Sequence, residues 1–140
     1  MTRTMIGAVL LVCLSAFNVP GQEAAKVVVT PIFATTTTAI DQPISLPKVN
    51  AEMRASVYEI PVGAALPVHK HPYQRYAYVL AGKLRVVATE TGRTFDYAAG
   101  DMVIEVVDTW HYGVNTGDVP VRLFVIDQVE AGEQNTITQQ

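Results

Sequence analysis

Residues 63–82 read GAALPVHKHPYQRYAYVLAG, and the interpretation of the whole chain begins with the His69 and His71 pair inside this stretch. Side chains on a β-strand alternate between its two faces, so a His-x-His pair in an extended segment points both imidazoles the same way, about 6–7 Å apart. The remaining histidine, His111, follows far enough downstream for intervening hairpins to bring it back beside the pair. The spacing therefore predicts one site built from three histidines.

Two interpretations of these histidines compete. A single histidine in an apolar strand is more often a hydrogen-bonded core or surface residue than a ligand, and the preceding segment, residues 66–68, is apolar. Two imidazoles on one face favour a metal, because each buried ring needs partners for both nitrogens and one divalent ion serves several rings. Neutral imidazole is also the commonest metal ligand in proteins. We therefore predict that His69, His71 and His111 bind a metal.

The sequence from Met53 onward alternates between short apolar runs and turns. Glycines at positions 82, 92, 100 and 117 separate these runs at the spacing typical of a β-sandwich or barrel. No segment after residue 21 has a sustained 3.6-residue period with caps, so no helix is predicted. The predicted strands, rich in Val, Ile and Tyr, are residues 55–60, 76–80, 84–88, 102–107 and 121–126.

Two segments resemble the motifs of the cupin superfamily. Residues 63–82 fit the pattern Gly-x5-His-x-His-x3–4-Glu-x6-Gly, except that Arg75 stands at the glutamate position. Residues 100–115 fit Gly-x5-Pro-x-Gly-x2-His-x3-Asn, with Val106 and Asp108 replacing the proline and the second glycine. Each histidine falls on a ligand position of the family. The resemblance implies an all-β fold, the double-stranded β-helix or jelly-roll barrel.

The chain divides into four predicted segments. Residues 1–21 have the layout of a signal peptide, because Arg3 precedes a short apolar run that ends in small residues. We expect residues 22–52 to form a lead-in with short strands at 27–30 and 35–38, residues 53–128 to form the cupin barrel, and residues 129–140 to form a polar, frayed tail. The similarity to small exported cupin-domain proteins agrees with a periplasmic or secreted location.

Composition excludes several classes of function. The single cysteine, Cys13, lies in the predicted signal peptide, so the cleaved chain has no thiol for metal binding or nucleophilic catalysis. The net charge of −3 gives no basic surface for nucleic acid or an anionic membrane. After cleavage no stable membrane span is expected. The expected partner is a small molecule. Related barrels often form dimers, so the resemblance also implies a homodimer.

Arg75 is the first candidate catalytic residue. A permanent cation cannot bind a metal, so the predicted face has three histidines, open positions and the full 2+ charge of the ion. Imidazole ligands suit Fe, Zn, Mn, Cu or Ni. The guanidinium either holds the carboxylate of an anionic ligand with a two-pronged hydrogen bond or bends out to solvent.

Glu105 is the second candidate. An acid within the apolar run at residues 102–107 is costly if it is buried alone, so it faces solvent, pairs with Arg75 or binds the metal. Two functions follow from the whole pattern. One is a metal-dependent enzyme for a small organic molecule, with oxygenase chemistry as the cupin-like expectation. The other is a non-catalytic module that binds a metal or small ligand, and the fold alone does not decide between them.

Overall fold

The structure, a computed structural model, describes residues 25–139. The chain separates into two units, residues 1–30 and 31–140, and all strands of the described residues lie in the second. The predicted signal peptide lies outside the described residues. No helix among residues 25–139 is long and apolar enough to cross a membrane. The strands are β1 (Ala51–Ile60), β2 (His69–Lys70), β3 (Arg75–Ala81), β4 (Lys83–Ala88), β5 (Thr94–Ala98), β6 (Met102–Ile104), β7 (His111–Asn115), β8 (Val121–Glu130) and β9 (Ile137–Thr138).

These strands form two sheets. The four-stranded sheet has the order β1-β8-β3-β6, and the five-stranded sheet has the order β5-β4-β7-β2-β9, with antiparallel pairing throughout. The period-two pattern places one face of each sheet inward: in β8, Val121, Leu123 and Val125 are buried while Arg122 and Phe124 are exposed. The all-β, double-stranded β-helix prediction is confirmed.

A single apolar cluster fills part of the space between the sheets. Burying one valine or leucine side chain contributes about 1.5–3 kcal/mol, so this cluster is the main source of stability. Its buried members are Ile60, Ala77, Val79, Leu84, Val86, Val103, Val121, Leu123 and Val125.

The lead-in differs from the prediction, because neither residues 27–30 nor residues 35–38 form a strand. One isolated bridge joins Thr37 to Pro43. The Gln42 side chain donates to Val107 O (2.9 Å) and accepts from Val107 N (2.9 Å), so an amide side chain replaces a strand partner. The β-branched composition of these segments favours strands, but a strand also needs a free sheet edge with which its backbone can pair. Composition alone was therefore misleading here.

The tail also differs from the prediction of a frayed segment. Strand β8 continues to Glu130, and after a turn β9 returns to pair with β2. Asn135 is buried although its neighbours are exposed. A polar composition predicts solvation, but here the polar groups bind other parts of the chain.

Candidate metal centre

The structure brings together all three predicted histidines. His69 and His111 are direct antiparallel neighbours on β2 and β7, and His71 follows two residues after His69 on the same face. The ring centroids are 4.5 Å (His69–His111), 4.8 Å (His69–His71) and 5.0 Å (His71–His111) apart. One ligand atom from each ring lies within 4.8 Å of the others, and all three residues are buried. This cluster has the composition and spacing to hold a metal ion.

Hydrogen bonds fix the orientation of each ring. His69 Nδ1 donates to Pro67 O (2.7 Å), His111 Nδ1 donates to Thr109 O (2.8 Å), and His71 Nδ1 donates to Asn135 O. A carbonyl oxygen can only accept, so each neutral ring carries its proton on Nδ1 and has its lone pair on Nε2. A backbone carbonyl on the non-ligating nitrogen is the usual companion of a metal-bound histidine.

The free nitrogens fit a metal. His111 Nε2 is buried and has no hydrogen-bond partner among the described residues, which is costly unless something else occupies that position. Burial lowers the pKa of all three imidazoles, and burial followed by the charge of Arg75 lowers the pKa of His71 to about 2. The rings are therefore neutral, the form that metal binding requires.

Arg75 lies between the sheets at the edge of this cluster. Its Nε and Nη2 donate to Asp127 Oδ1 (2.7 Å) and Oδ2 (2.9 Å), and Nη2 also donates to Thr136 Oγ1 (3.2 Å). Its Nη1 is 3.4 Å from His71 Nε2. Both expectations for this residue are therefore wrong: it does not bend out to solvent, and its two-pronged donor face is already occupied by Asp127. One N–H remains directed at the histidines.

Only 12% of the Glu105 side chain is exposed, so the solvent-facing alternative is wrong for this residue. Its Oε2 lies 3.4 Å from His111 Nε2 without forming a hydrogen bond to it, and burial raises the pKa of its carboxyl, opposed by the positive charge of Arg75. Pairing with Arg75 is not the observed arrangement, because that guanidinium is bound to Asp127. A carboxyl therefore borders the three-histidine face, and metal binding is the remaining alternative for this residue.

The cavity beside the histidines is small. Its enclosed part has a volume of about 20 Å³, close to the space of one water molecule. A wider mouth of about 80 Å³ adjoins this space. Both are lined by Tyr58, Leu66 and Arg75, and the mouth is also bordered by Thr136 and Thr138. The walls are mostly apolar, so the polar atoms facing inward are concentrated on the histidines, Arg75 and Glu105.

Sequence reasoning missed Asp127 and Asn135. Asp127 carried a detectable signal, because it continues the inward parity of Val121, Leu123 and Val125 along β8. Its register partner on β3 is Arg75. Asn135 carried no comparable signal, since it belongs to no strand.

The comparisons with known proteins agree with this geometry. A family model described as a cupin domain matches residues 56–127. No curated protein gave a match. Similar solved structures include the polyketide cyclase RemF from Streptomyces resistomycificus, with 20% identity, a TM-score of 0.53, and coverage of 63% of this chain and 62% of that one.

Two further structures belong to other enzymes. DMSP lyase DddQ from Ruegeria pomeroyi DSS-3 has 22% identity and a TM-score of 0.52 over 62% of this chain and 43% of that one. The oxalate decarboxylase of Lactobacillus farciminis, in a formate complex, has 26% identity and a TM-score of 0.50 over 61% of this chain and 26% of that one. The matched region is less than two thirds of each of these three proteins. Together with the family match, the two antiparallel sheets and the histidine cluster between them, this places the chain in the cupin family.

Proposed function

We propose that the protein binds a divalent transition metal through Nε2 of His69, His71 and His111 and is a metal-dependent enzyme for a small organic acid. The observation that carries the proposal is the arrangement of the three imidazoles. Each donates an Nδ1–H hydrogen bond to a backbone carbonyl and directs its Nε2 lone pair into one shared space, where Arg75 Nη1 lies 3.4 Å from His71 Nε2. Such a nitrogen donor set suits Fe, Zn, Mn, Cu or Ni. When bound, the ion would supply Lewis-acid or, if redox-active, oxygenase chemistry.

The residues around the histidines support a small substrate. The enclosed space and its mouth, about 20 and 80 Å³, admit a short molecule. Arg75 offers its Nη1 as one donor to an acidic oxygen, while Asp127 holds the rest of the guanidinium in place. Glu105 offers a carboxyl within reach of a group held beside His111, the position of a general base. The similar oxalate decarboxylase contains formate, which is also a small carboxylate.

The experiment is a metal-dependent turnover screen. The protein is purified without chelators, its metals are measured, and metal-free samples are reloaded with each candidate ion before small carboxylic acids and oxygen uptake are tested. Turnover that needs one metal and is lost in His111→Ala supports the proposal. Glu90→Ala, in an exposed turn, is the matched control and should keep full activity. Absence of metal from both proteins would contradict the proposal.

A non-catalytic module that binds a metal or small ligand is the second candidate. The small enclosed volume and the fixed Arg75–Asp127 pair favour it, because both restrict the movement of a substrate. Metal and acid binding without turnover above that of His111→Ala would support this candidate.

We also propose that the protein forms a homodimer through the outer face of its four-stranded sheet. Val57, Phe124, Tyr78 and Met102 form one apolar row across this face, and Val57 is 56% exposed. Exposed apolar patches of this kind commonly mark interfaces. At the end of the sheet Glu59 lies beside Arg122, so a two-fold axis can pair opposite charges. Light scattering should give a dimer mass that Val57→Glu reduces to that of a monomer, and a monomeric wild type would contradict this.

We propose, finally, that the protein is exported to the periplasm or secreted. The support is the sequence of residues 1–21, in which a positive start, a short apolar run and small residues follow in that order. Mass spectrometry of the natural protein should find an N-terminus near Gln22. An N-terminus at Met1 or Thr2 in the cytoplasmic fraction would contradict export.

A further inference from the structure

The three histidines differ in how far along the chain their Nδ1 partners lie. His69 and His111 donate to carbonyls two residues earlier, at Pro67 and Thr109. These bonds are local, because each joins residues two positions apart in the chain. His71 instead donates to the carbonyl of Asn135, 64 residues away. The orientation of this one ring therefore depends on the C-terminal strap, which we define as residues 133–139.

Both polar atoms of the Asn135 side-chain amide form hydrogen bonds to the barrel. Its Oδ1 accepts from Tyr73 N (2.8 Å), and its Nδ2 donates to Asp127 Oδ1 (2.6 Å). Asp127 is the carboxylate that holds Arg75. The side chain of Asn135 thus fixes its own carbonyl against His71 and connects it to the Arg75–Asp127 pair. With 5% exposure it is a buried residue in an otherwise exposed segment.

The rest of the strap holds Asn135 in place. Glu133 O accepts from Arg54 Nη1 (2.7 Å), and Gln139 N donates to Val68 O (2.9 Å). Between these contacts β9 pairs with β2, which places Thr138 opposite His69. Thr136 and Thr138 also border the mouth of the cavity. The strap therefore borders the end of the barrel that contains the histidines.

We propose that Asn135 is a positioning residue of the metal centre, which selects the Nδ1–H tautomer of His71 and completes the three-nitrogen face only when the C-terminal strap is docked. The inference rests on the proposed metal binding. A carbonyl partner fixes the tautomer and direction of a metal-binding imidazole, and loss of such a partner typically weakens metal affinity about 10–100-fold. Without the strap, His71 Nδ1 has no acceptor, so the ring can turn or place its proton on Nε2, opposed only by the long contact of Arg75 Nη1 with that nitrogen (3.4 Å).

The test uses the full chain and three proteins: wild type, Asn135→Ala and the matched control Gln134→Ala, whose side chain lies exposed on the same strap. Nitrogen-15 NMR of the histidine rings reports the tautomers in the metal-free proteins. We expect the Nδ1–H form for all three rings in wild type and in the control. Asn135→Ala keeps the backbone carbonyl but removes the two side-chain hydrogen bonds, to Tyr73 N and Asp127 Oδ1, that hold it against His71. Only His71 should therefore change, to a mixture of tautomers, while His69 and His111 keep their local partners.

Zinc titration against a chromophoric chelator gives the second measurement. Asn135→Ala should bind Zn²⁺ about 10–100-fold more weakly than wild type, and Gln134→Ala should match wild type. An unchanged His71 tautomer in Asn135→Ala, or an altered tautomer with unchanged zinc affinity, would overturn the inference. If wild type binds no zinc or other ion, the proposed function fails, and the NMR result still decides whether Asn135 orients His71.

A chain that ends at Glu133 provides an independent check on the strap. Circular dichroism first establishes that this shortened protein is folded. A folded sample should show the same selective change at His71, since the removed residues include the carbonyl that His71 binds. Retention of the Nδ1–H form without residues 134–140 would contradict the proposal.

Discussion

The two ends of the barrel interior are built by the same strands and filled with opposite kinds of side chain. At one end, where Ile60 pairs with Val121, the space is closed by apolar residues. At the other, where Arg75 pairs with Asp127, it contains three imidazoles, a guanidinium and carboxylates. The apolar end stabilises the fold through burial. The polar end costs desolvation free energy, and a buried ion pair is at best weak support for stability.

This difference indicates where function lies. A barrel that needed only stability would be better filled with apolar side chains at both ends. The polar end instead keeps a buried nitrogen, His111 Nε2, without a hydrogen-bond partner in the described structure. A buried nitrogen without a partner lowers the free energy of unfolding, and binding of an ion or ligand to that nitrogen can offset the loss. Substitutions at the two ends should therefore have different consequences for stability and for metal binding.

The largest effect on stability is expected from Arg75→Met. This substitution leaves the largely buried Asp127 carboxylate without its charged partner and with Asn135 Nδ2 as a remaining donor, and breaking a buried ion pair typically costs about 3–5 kcal/mol of unfolding free energy. Chemical denaturation of the metal-free protein measures it. The double variant Arg75→Met, Asp127→Leu removes both charges and should recover most of the loss. A double variant no more stable than the single one would show that the pair itself stabilises the polar end.

Ile60→Ala tests the apolar end. Ile60 is 3% exposed, and removal of its side chain should destabilise the protein by about 2–5 kcal/mol through lost burial and the cavity that remains. The milder Ile60→Val should cost about 0.5–1.5 kcal/mol and leave metal binding unchanged. Urea denaturation gives the free energies. A large loss of metal affinity in Ile60→Val would contradict the separation of the two ends.

Gly82→Ala should have an intermediate effect. Gly82 has a φ of 84°, and a Cβ at this position would lie 2.8 Å from the Cα of Val121. The left-handed conformation alone costs a non-glycine residue about 1–2 kcal/mol, and the close contact adds to it. Gly92→Ala is the control, because it has a similar φ of 67° with open space around the added carbon. Equal destabilisation of both variants in urea would show that the contact with β8 contributes nothing.

The smallest effect is expected from Arg85→Ala. The Arg85–Asp96 pair joins β4 to β5 through two hydrogen bonds, of 2.7 and 3.0 Å, but it lies on the exposed surface. Exposed ion pairs contribute little because water and salt screen them. The denaturation midpoint should stay within experimental error of wild type. A clear loss of stability would show that surface charges matter as much as the interior ones.

The sequence predicted the features that depend on local periodicity. The alternation of side chains placed His69 and His71 on one face, and the motif spacing brought His111 to them. Asp108, which replaces the second glycine of the motif, has a φ of 50°, a conformation that aspartate tolerates better than most residues. Asn115, the last residue of the second motif, has a structural role, because its Nδ2 donates to Ile60 O (3.0 Å) and Val119 O (2.9 Å).

Features that depend on distant parts of the chain were not predictable in the same way. Glu105 lies on the same inward face as Val103. Ile104 and Val106, on the opposite face, are buried as well, so burial along this run does not alternate and could not reveal which way Glu105 points. Ile104 is covered from outside by the lead-in, where Ala39 N donates to Ile104 O (3.4 Å). To predict the partner of Arg75, one must know the register between β3 and β8. The role of the tail required the contact between Asn135 and His71, which no local pattern encodes.

The most direct test of the account is the affinity for Zn²⁺, measured by competition with a chromophoric chelator for wild type, His111→Ala and Ile60→Val. We expect wild type and Ile60→Val to bind one equivalent with the same affinity. His111→Ala should bind Zn²⁺ more than about 100-fold more weakly, because loss of a ligand atom weakens binding more than loss of the hydrogen bond that supports it. Equal binding by all three folded proteins, or no binding by wild type, would contradict a metal centre at the polar end of the barrel.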